Sequence, residues 1–503
     1  MLAIIPSATL LGVDGQPVRV EVHVANGFPG FTVVGLPDAA CREARDRVKA
    51  AMQTCSLPWP TRKITVNLSP SAVRKSGAGL DVAIAVGMLV AQGEVPPDAV
   101  AGAAFLGELG LDGSVRRVPG VVPLVASMSA PAVVVPAGCG AEARLVGRHE
   151  VREVADLTTL VRALKGEGPW PESPADPPVP VPAPGRDLAE VRGQAVARLA
   201  LEVAAAGGHH LLLAGPPGAG KTLLAQCLPG LLPDLADEDA LVATRVHSAA
   251  GVSLPAGGLV RRPPFRAPHQ TASGASLLGG SDQLRPGEIS LAHGGVLFVD
   301  ELGEFPTSVL DALRQPLEEG RIRIARARAV VEYPARFLLV AAMNPCPCGR
   351  GGRPGVCTCS DAARLRYARR LSGPLLDRID LRVDVPRPDV AQLLAGPPGE
   401  CSAVVAERVA AARELAVGRG VRCNAELPVR ALDDVAPVRG SAAVLFEDAL
   451  RTGSLTARGL HRARRVSRTL ADLRVGDGPI SDEDVCLALQ LRSEPDLLRA
   501  VAA

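Results

Sequence analysis

One stretch, Gly215 to Thr222 (GPPGAGKT), constrains this chain more than any other. It matches G-x-x-x-x-G-K-[ST] and lies between a strand-like run, His210 to Ala214, and a helix-like one. That strand-turn-helix setting is what a phosphate-binding loop requires. Its glycines let backbone N–H groups turn inward on phosphates, and the following helix adds its positive N-terminal end. The expected cradle is Gly215, Pro216, Pro217, Gly218, Ala219, Gly220, Lys221 and Thr222. Lys221 is the candidate partner of the β- and γ-phosphates, and Thr222 the candidate ligand of Mg²⁺. ATP and Mg²⁺ are therefore the implied cofactors. A chance match in a Gly-rich chain would lack the flanking strand and helix.

Further on, GGVLFVDEL (Gly294 to Leu302) is a short apolar run ending in two carboxylates. Asp300, at a strand end, is expected to hold Mg²⁺, and Glu301 to polarise the attacking water as general base. Two solvated acids at a strand end are the bland alternative, and the upstream phosphate loop weighs against it. Asn344 ends the next apolar strand and would orient the lytic water beside Asp300. Taken singly, it is as well explained as a turn-forming Asn before Pro345.

The rest of the chain bounds the reading. Its 503 residues suit two to four domains, and its 47% apolar share supplies sizeable cores. Aromatics are only 2%, so those cores are aliphatic. The net charge of +2 removes any whole-chain basic footprint, leaving local Arg clusters for contacts with nucleic acid. No apolar run is long enough to span a membrane, and the N-terminus lacks the pattern of a signal peptide. Eleven cysteines, an odd number, fit a reducing cytoplasm better than a disulfide framework. Residues 1–165 alternate strands (Val18 to Val24, Lys63 to Leu68) and helices (Ala39 to Gln53, Leu80 to Val90). A Pro-rich linker is expected over 166–186. An α/β core with a buried parallel sheet follows over 187–390, then a mainly helical region over 391–503.

The runs FRAPHQTASGASLLGG, RPGEISLAHGGVLFVDELGEF and RLSGPLLDRIDLRVDVP resemble the ComM/YifB group of magnesium-chelatase-like AAA+ proteins. The likeness spans nearly the whole chain. It implies an α/β fold class: a Lon-like α+β N-terminal domain, an AAA+ P-loop parallel-sheet core and a helical C-terminal lid. By the same resemblance Asn344 is the sensor-1 residue. Arg378, in LLDRID, is the arginine finger, and Arg458 is the sensor-2 arginine, with Arg462 and Arg465 close enough to compete. Any of these alone would pass as a solvated helix charge. A finger given in trans implies a ring, and the group suggests a hexamer.

Arg321 to Tyr333 (RIRIARARAVVEY) alternates apolar and basic residues and reads as a hairpin with its tip near Ala325 to Ala329. The resemblance places this hairpin in the ring channel. Arg323, Arg326 and Arg328 are then the candidate contacts to DNA phosphates, which carry no sequence information. An ordinary solvated hairpin is the alternative. Arg266 and His269 belong to a second segment that could line the channel. Cys346, Cys348, Cys357 and Cys359 form C-x-C-x₈-C-x-C, a set suited to one structural Zn²⁺, or else reduced thiols on a loop.

Residues 1–165 also resemble a Lon-protease-type domain around Arg74 to Met88 and Gly107 to Gly120. Alignment puts Gly77 where the nucleophilic Ser belongs and Val122 where the Lys belongs, so no Ser–Lys dyad is expected. Ser76 is one position away. The implied function is a cytoplasmic, ring-forming ATPase that moves along DNA, a helicase promoting branch migration in recombination or natural transformation. A magnesium-chelatase-type ATPase subunit and a protein-remodelling chaperone are the alternatives. Neither a membrane partner nor proteolysis is expected.

Overall fold

The computed structural model describes residues 1–172, 185–255, 257–280, 284–326, 329–350, 356–371 and 373–493. In the N-terminal region, alternating valines and polar residues pleat one face of a strand onto a core. That strand runs Asp14–Ala25 and pairs antiparallel with Leu2–Leu11 on one edge and Lys63–Ser69 on the other. Gly30–Val34 completes the sheet, parallel to Lys63–Ser69. The helix Ala39–Thr54 starts where the Asp38 carboxylate accepts from the Cys41 N–H at 2.8 Å. The helix Asp81–Gln92 is buried on every side, because its sequence is apolar all round. A parallel three-stranded sheet follows: Ala103–Phe105, Ala132–Pro136 and Glu150–Val154.

The expected linker begins in contact with this region. Trp170 packs against the N-terminal core, and the Arg152 guanidinium sits 4.4 Å from its ring centroid. The indole buries apolar area that the surrounding prolines cannot offer. Residues 173–184 of the expected linker, and 494–503 of the expected lid, lie outside the described residues.

The central sheet is wholly parallel, in the order Phe265–Arg266, Val296–Val299, Leu338–Met343, Leu211–Ala214, Leu381–Asp384. Alternation along its strands feeds two separate cores. Leu211, Leu213, Val296 and Phe298 enter one; Leu212, Ala214, Leu297 and Val299 enter the other. Burial on both faces is why these strands read as unbroken apolar runs. The strands at the two edges escape that signature. Leu381–Asp384 (LRVD) carries an arginine, and Phe265–Arg266 is too short to show a pattern.

The C-terminal helices are Ser402–Gly418, Leu432–Val435, Ser441–Arg451, Ala457–Val475 and Asp482–Leu491. A 3₁₀ turn, Val429–Ala431, leads into the four-residue helix Leu432–Val435. Pro428 at the turn's N-cap has no N–H to donate. The helices pack under the sheet, at the N-terminal ends of its strands. Asp380, 2% exposed, takes Arg462 Nη1 on Oδ1 at 2.7 Å and the His210 N–H on Oδ2 at 3.0 Å. Arg492 Nη1 donates to Ile379 O at 2.8 Å. His209 Nδ1 lies 3.9 Å from the same carboxylate, but burial pushes that ring down to about 4. The ring is therefore neutral near pH 7, and the contact is dipolar rather than ionic. Among the described residues, no helix is long and apolar enough to cross a membrane.

Candidate functional site

Parallel strands deliver their loops to one end of the sheet, and the phosphate loop, the acidic pair and Asn344 all meet there. Gly215 N–H donates to Met343 O at 3.1 Å, tying the start of the loop to the end of the Asn344 strand. Lys221 Nζ donates to Gly215 O (2.6 Å), Pro216 O (3.0 Å) and Asn344 Oδ1 (3.1 Å). Thr222 Oγ1 donates to Asp300 Oδ2 at 3.0 Å, so the two oxygens expected to hold Mg²⁺ already adjoin. Burial pushes the Lys221 ammonium below its ordinary value, while Asp300 and Glu301 act in the opposite sense. The Glu301 N–H donates to Asp300 Oδ1 at 2.8 Å, and Glu301 itself sits at φ 50°. Positive φ is costly for a glutamate and recurs at functional sites.

A second residue with positive φ marks the other side of the loop. Gln194, at φ 54°, donates from Nε2 to Pro386 O (2.6 Å) and Ala219 O (3.3 Å). It clamps the phosphate loop to the strand beside it. Sequence reasoning passed over Gln194, because a polar residue before a helix is commonplace; only its backbone angle and its partners single it out.

Arg378 is not at this site. It precedes Leu381–Asp384, whose residues pair in register with Leu211–Ala214, the strand that leads into the phosphate loop. At ~3.3 Å per residue, about 10 Å of strand separates the two ends. Arg378 is 9% exposed, donates to Pro374 O at 2.6 Å and pairs with Glu318. Glu318 is held below its usual value first by Arg378, then by Arg458 and Arg462. The expected finger thus pairs with a carboxylate at the base of the sheet, and the charge of the expected sensor-2 arginine is felt there without a direct contact. Of the three competing arginines, Arg462 is bound to Asp380 and to Arg378 O, and Arg465 donates to Leu427 O. Arg458 remains exposed.

The hairpin forms as read. Arg321–Arg326 pairs antiparallel with Ala329–Pro334, in the register Arg323↔Glu332 and Arg326↔Ala329. Ile322 and Tyr333 point inward, while Arg323 and Arg326 are exposed. Arg326 Nη2 also donates to Gly280 O at 2.7 Å, joining the hairpin to the segment before it. Arg328 lies outside the described residues. Arg266 makes a bidentate pair with Glu288 at 2.7 and 2.8 Å, and His269 is exposed beside Thr271.

The four cysteines converge. Sγ–Sγ separations are 3.4 Å (Cys346–Cys348), 3.8 Å (Cys346–Cys357) and 3.5 Å (Cys348–Cys357), and all four sulfurs lie within 4.8 Å of one another. With Zn–S near 2.3 Å, a tetrahedral ion places its thiolates about 3.8 Å apart. The donor set therefore has the size and softness of a single Zn²⁺ site.

The Lon-like positions hold no dyad. Gly77 has no side chain. Val122 is 1% exposed, and its N–H goes to Ser248 Oγ of the central region at 3.3 Å. The Ser76 hydroxyl and the Lys75 ammonium donate to different carbonyls, those of Leu10 and Pro70. The surface around Val122 is an interdomain contact, with Gly120 N–H also donating to Ser248 O at 2.8 Å.

Family models match in three consecutive pieces: "Subunit ChlI of Mg-chelatase" over 20–138, "Magnesium chelatase, subunit ChlI" over 187–393 and "Magnesium chelatase, subunit ChlI C-terminal" over 399–492. The chain is 46% identical to the uncharacterised protein Rv2897c of Mycobacterium tuberculosis over 496 residues, 97% of each chain. It is 41% identical to the competence protein ComM of Haemophilus influenzae over 508 residues, 100% of this chain and 99% of that one. A shorter likeness, 28% over 148 residues, covers 27% of this chain and 26% of Lon protease 2 of Bacillus subtilis.

Proposed function

The chain belongs to the ComM/YifB group of magnesium-chelatase-family AAA+ ATPases, and on that footing we propose that it is a ring-forming motor that moves along DNA, a helicase promoting branch migration. The observation that carries this is the position of the Arg-bearing hairpin. It lies in the chain between Asp300–Glu301 and Asn344, joined to the acidic pair through the helices Thr307–Ala312 and Arg314–Glu319 and to Asn344 through the strand Leu338–Met343, and these are the routes by which a shift at the phosphate site reaches it. A competence protein among the near-identical-length relatives supports a role on DNA in natural transformation.

In this reading Gly215–Thr222 binds the nucleotide phosphates, with Lys221 on the β- and γ-phosphates. Thr222 and Asp300 would hold Mg²⁺, which when bound neutralises phosphate charge. Glu301 takes the proton from a water as its oxygen attacks the γ-phosphorus, and the bond to the β-phosphate oxygen breaks. Asn344 orients that water. Arg378 serves the nucleotide of the neighbouring subunit, since its own lies at the other end of the sheet, and Arg458 acts as the sensor-2 arginine; a closed ring follows, and the resemblance suggests a hexamer. Arg323, Arg326 and Arg328 grip the phosphate backbone in the channel. Cys346, Cys348, Cys357 and Cys359 hold a structural Zn²⁺. Residues 1–165 serve ring assembly or DNA loading in the cytoplasm, without proteolysis.

The test is ATP turnover with and without single-stranded and forked DNA, at low and moderate salt. DNA should stimulate hydrolysis, more so at low salt. Hydrolysis indifferent to DNA, with no DNA bound, overturns the helicase reading in favour of a chelatase-type or protein-remodelling motor. Glu301→Gln should bind ATP yet lose turnover by about a hundredfold or more.

A further inference from the structure

We propose that the four-cysteine knuckle is a metal-closed strut for the phosphate loop, so that the metal in it sets how tightly the nucleotide is held. This rests on the reading of the four thiols as a Zn²⁺ site and extends it to the chemistry next door.

The knuckle and the nucleotide site share one strand. Leu338–Met343 ends at Met343, whose carbonyl receives the Gly215 N–H at 3.1 Å. Asn344, next in the chain, receives Lys221 at 3.1 Å. Cys346 comes two residues later and is fully buried. The chain then turns tightly, with Gly349 N–H donating to Cys346 O at 2.9 Å and Gly349 at φ 75°. The outer face of this turn rests on the phosphate loop. A Cβ at Gly349 would lie 2.7 Å from Pro217 Cδ and 2.9 Å from Pro217 Cγ. Pro217 itself is exposed, at the outer bend of the loop, so the knuckle is the wall against which that bend leans.

A wall is useful only if it is stiff, and the described residues of this one bury few side chains. Of its four cysteines only Cys346 is buried, and the intervening sequence (GRGGRPGV) is rich in glycine. Backbone of that composition loses much entropy on ordering and buries little apolar area in return. Four thiolates on one ion restrain both ends of the segment at once, in the way that structural metals order small loops. The sulfur separations of 3.4, 3.5 and 3.8 Å are those of a single tetrahedral ion. Releasing the ion therefore frees Gly349, and with it the bend at Pro217 and the register of Asn344 against Lys221.

The test uses the full-length protein. Purified without chelator, it should hold one Zn²⁺ per chain, released on thiol modification and measured with a chromogenic chelator. Binding of a fluorescent ADP analogue gives the nucleotide Kd. The double variant Cys348→Ser/Cys359→Ser should lose the ion and weaken nucleotide binding by about tenfold or more. Gly349→Ala leaves every thiol in place but pushes a methyl into Pro217. It should keep one Zn²⁺ per chain and still raise the Kd by about tenfold. A wild-type protein without zinc defeats the metal reading and the strut with it. A double variant that loses zinc at unchanged Kd overturns the strut alone and leaves the metal site standing, as does Gly349→Ala with full zinc and unchanged Kd.

Discussion

Gly12→Ala should loosen a hairpin in a different domain. Leu2–Leu11 and Asp14–Ala25 are joined by the two-residue turn Gly12–Val13, since Leu11 pairs with Asp14. That turn is inserted into the central region. Val13, 5% exposed, belongs to the same apolar cluster as Ile322, Val331 and Tyr333 of the arginine hairpin. Asp14 beside it pairs with Arg245. Gly12 sits at φ 67°, and an added Cβ would run into Val331 Cγ1 and come within 3.5 Å of Tyr333 Cε1. An alanine in left-handed backbone costs about 1 kcal/mol, and overpacking a tight contact about 2 more. The sum, about 3 kcal/mol, corresponds to roughly 150-fold in an opening equilibrium. Hydrogen exchange of the ladder amides in Arg321–Arg326 and Ala329–Pro334 should accelerate by up to that factor. Amides of Leu211–Ala214 should be unchanged. If exchange rises only in the Leu10–Asp14 turn while the arginine hairpin keeps its protection, the N-terminal domain does not brace the hairpin and the reasoning fails.

Two further outcomes follow from the base of the sheet. Arg378→Ala should lower ATP turnover by about a thousandfold while nucleotide affinity is retained, and mixing it with a Lys221→Ala chain should restore part of the rate; a cis role would give no such complementation. Acid should destabilise the protein in two steps. Burial holds His209, His210 and His293 at about 4, below the unfolded value of 6.5, so the unfolded chain binds protons that the folded chain refuses. Stability is therefore complete above pH 6.5 and falls as pH drops through 4, by on the order of 3 kcal/mol for each ring. Burial pushes Asp380 upward, but Arg462 together with His209 and His210 outweighs it and holds the carboxylate below its usual range, so its contribution is lost only below about pH 3.8. Thermal melts from pH 8 to 2 check this, and a flat midpoint between 6.5 and 4 would refute it.

Much of the site was legible because its signals are local. A loop that wraps phosphates needs particular residue types at fixed spacing, and a strand buried on both faces needs an apolar run, so Lys221, Thr222 and Asp300 could be named as candidates from the chain alone, while Asn344 took its role from the family resemblance. The hairpin was legible for the same reason, since period-two alternation is a property of consecutive residues. The edge strand Leu381–Asp384 was not, because its arginine breaks the apolar run and is accommodated through tertiary contacts such as its bond to Leu376 O. Gln194 was missed because its role lies in two carbonyls, one of them far along the chain.

What the sequence determined by itself, then, is chemistry: a phosphate loop, two acids, a row of arginines and four thiols, each set by spacing along the backbone. The tertiary structure decided what those groups can serve. It brought Lys221, Asn344 and Asp300 together at one end of a parallel sheet, and left Arg378 on Glu318 at the other. It also set the turn at Gly12 against Val331 and the bend at Pro217 against Gly349. These contacts join residues that are distant in the chain and depend on strand order and domain docking, which no pattern of neighbouring side chains encodes.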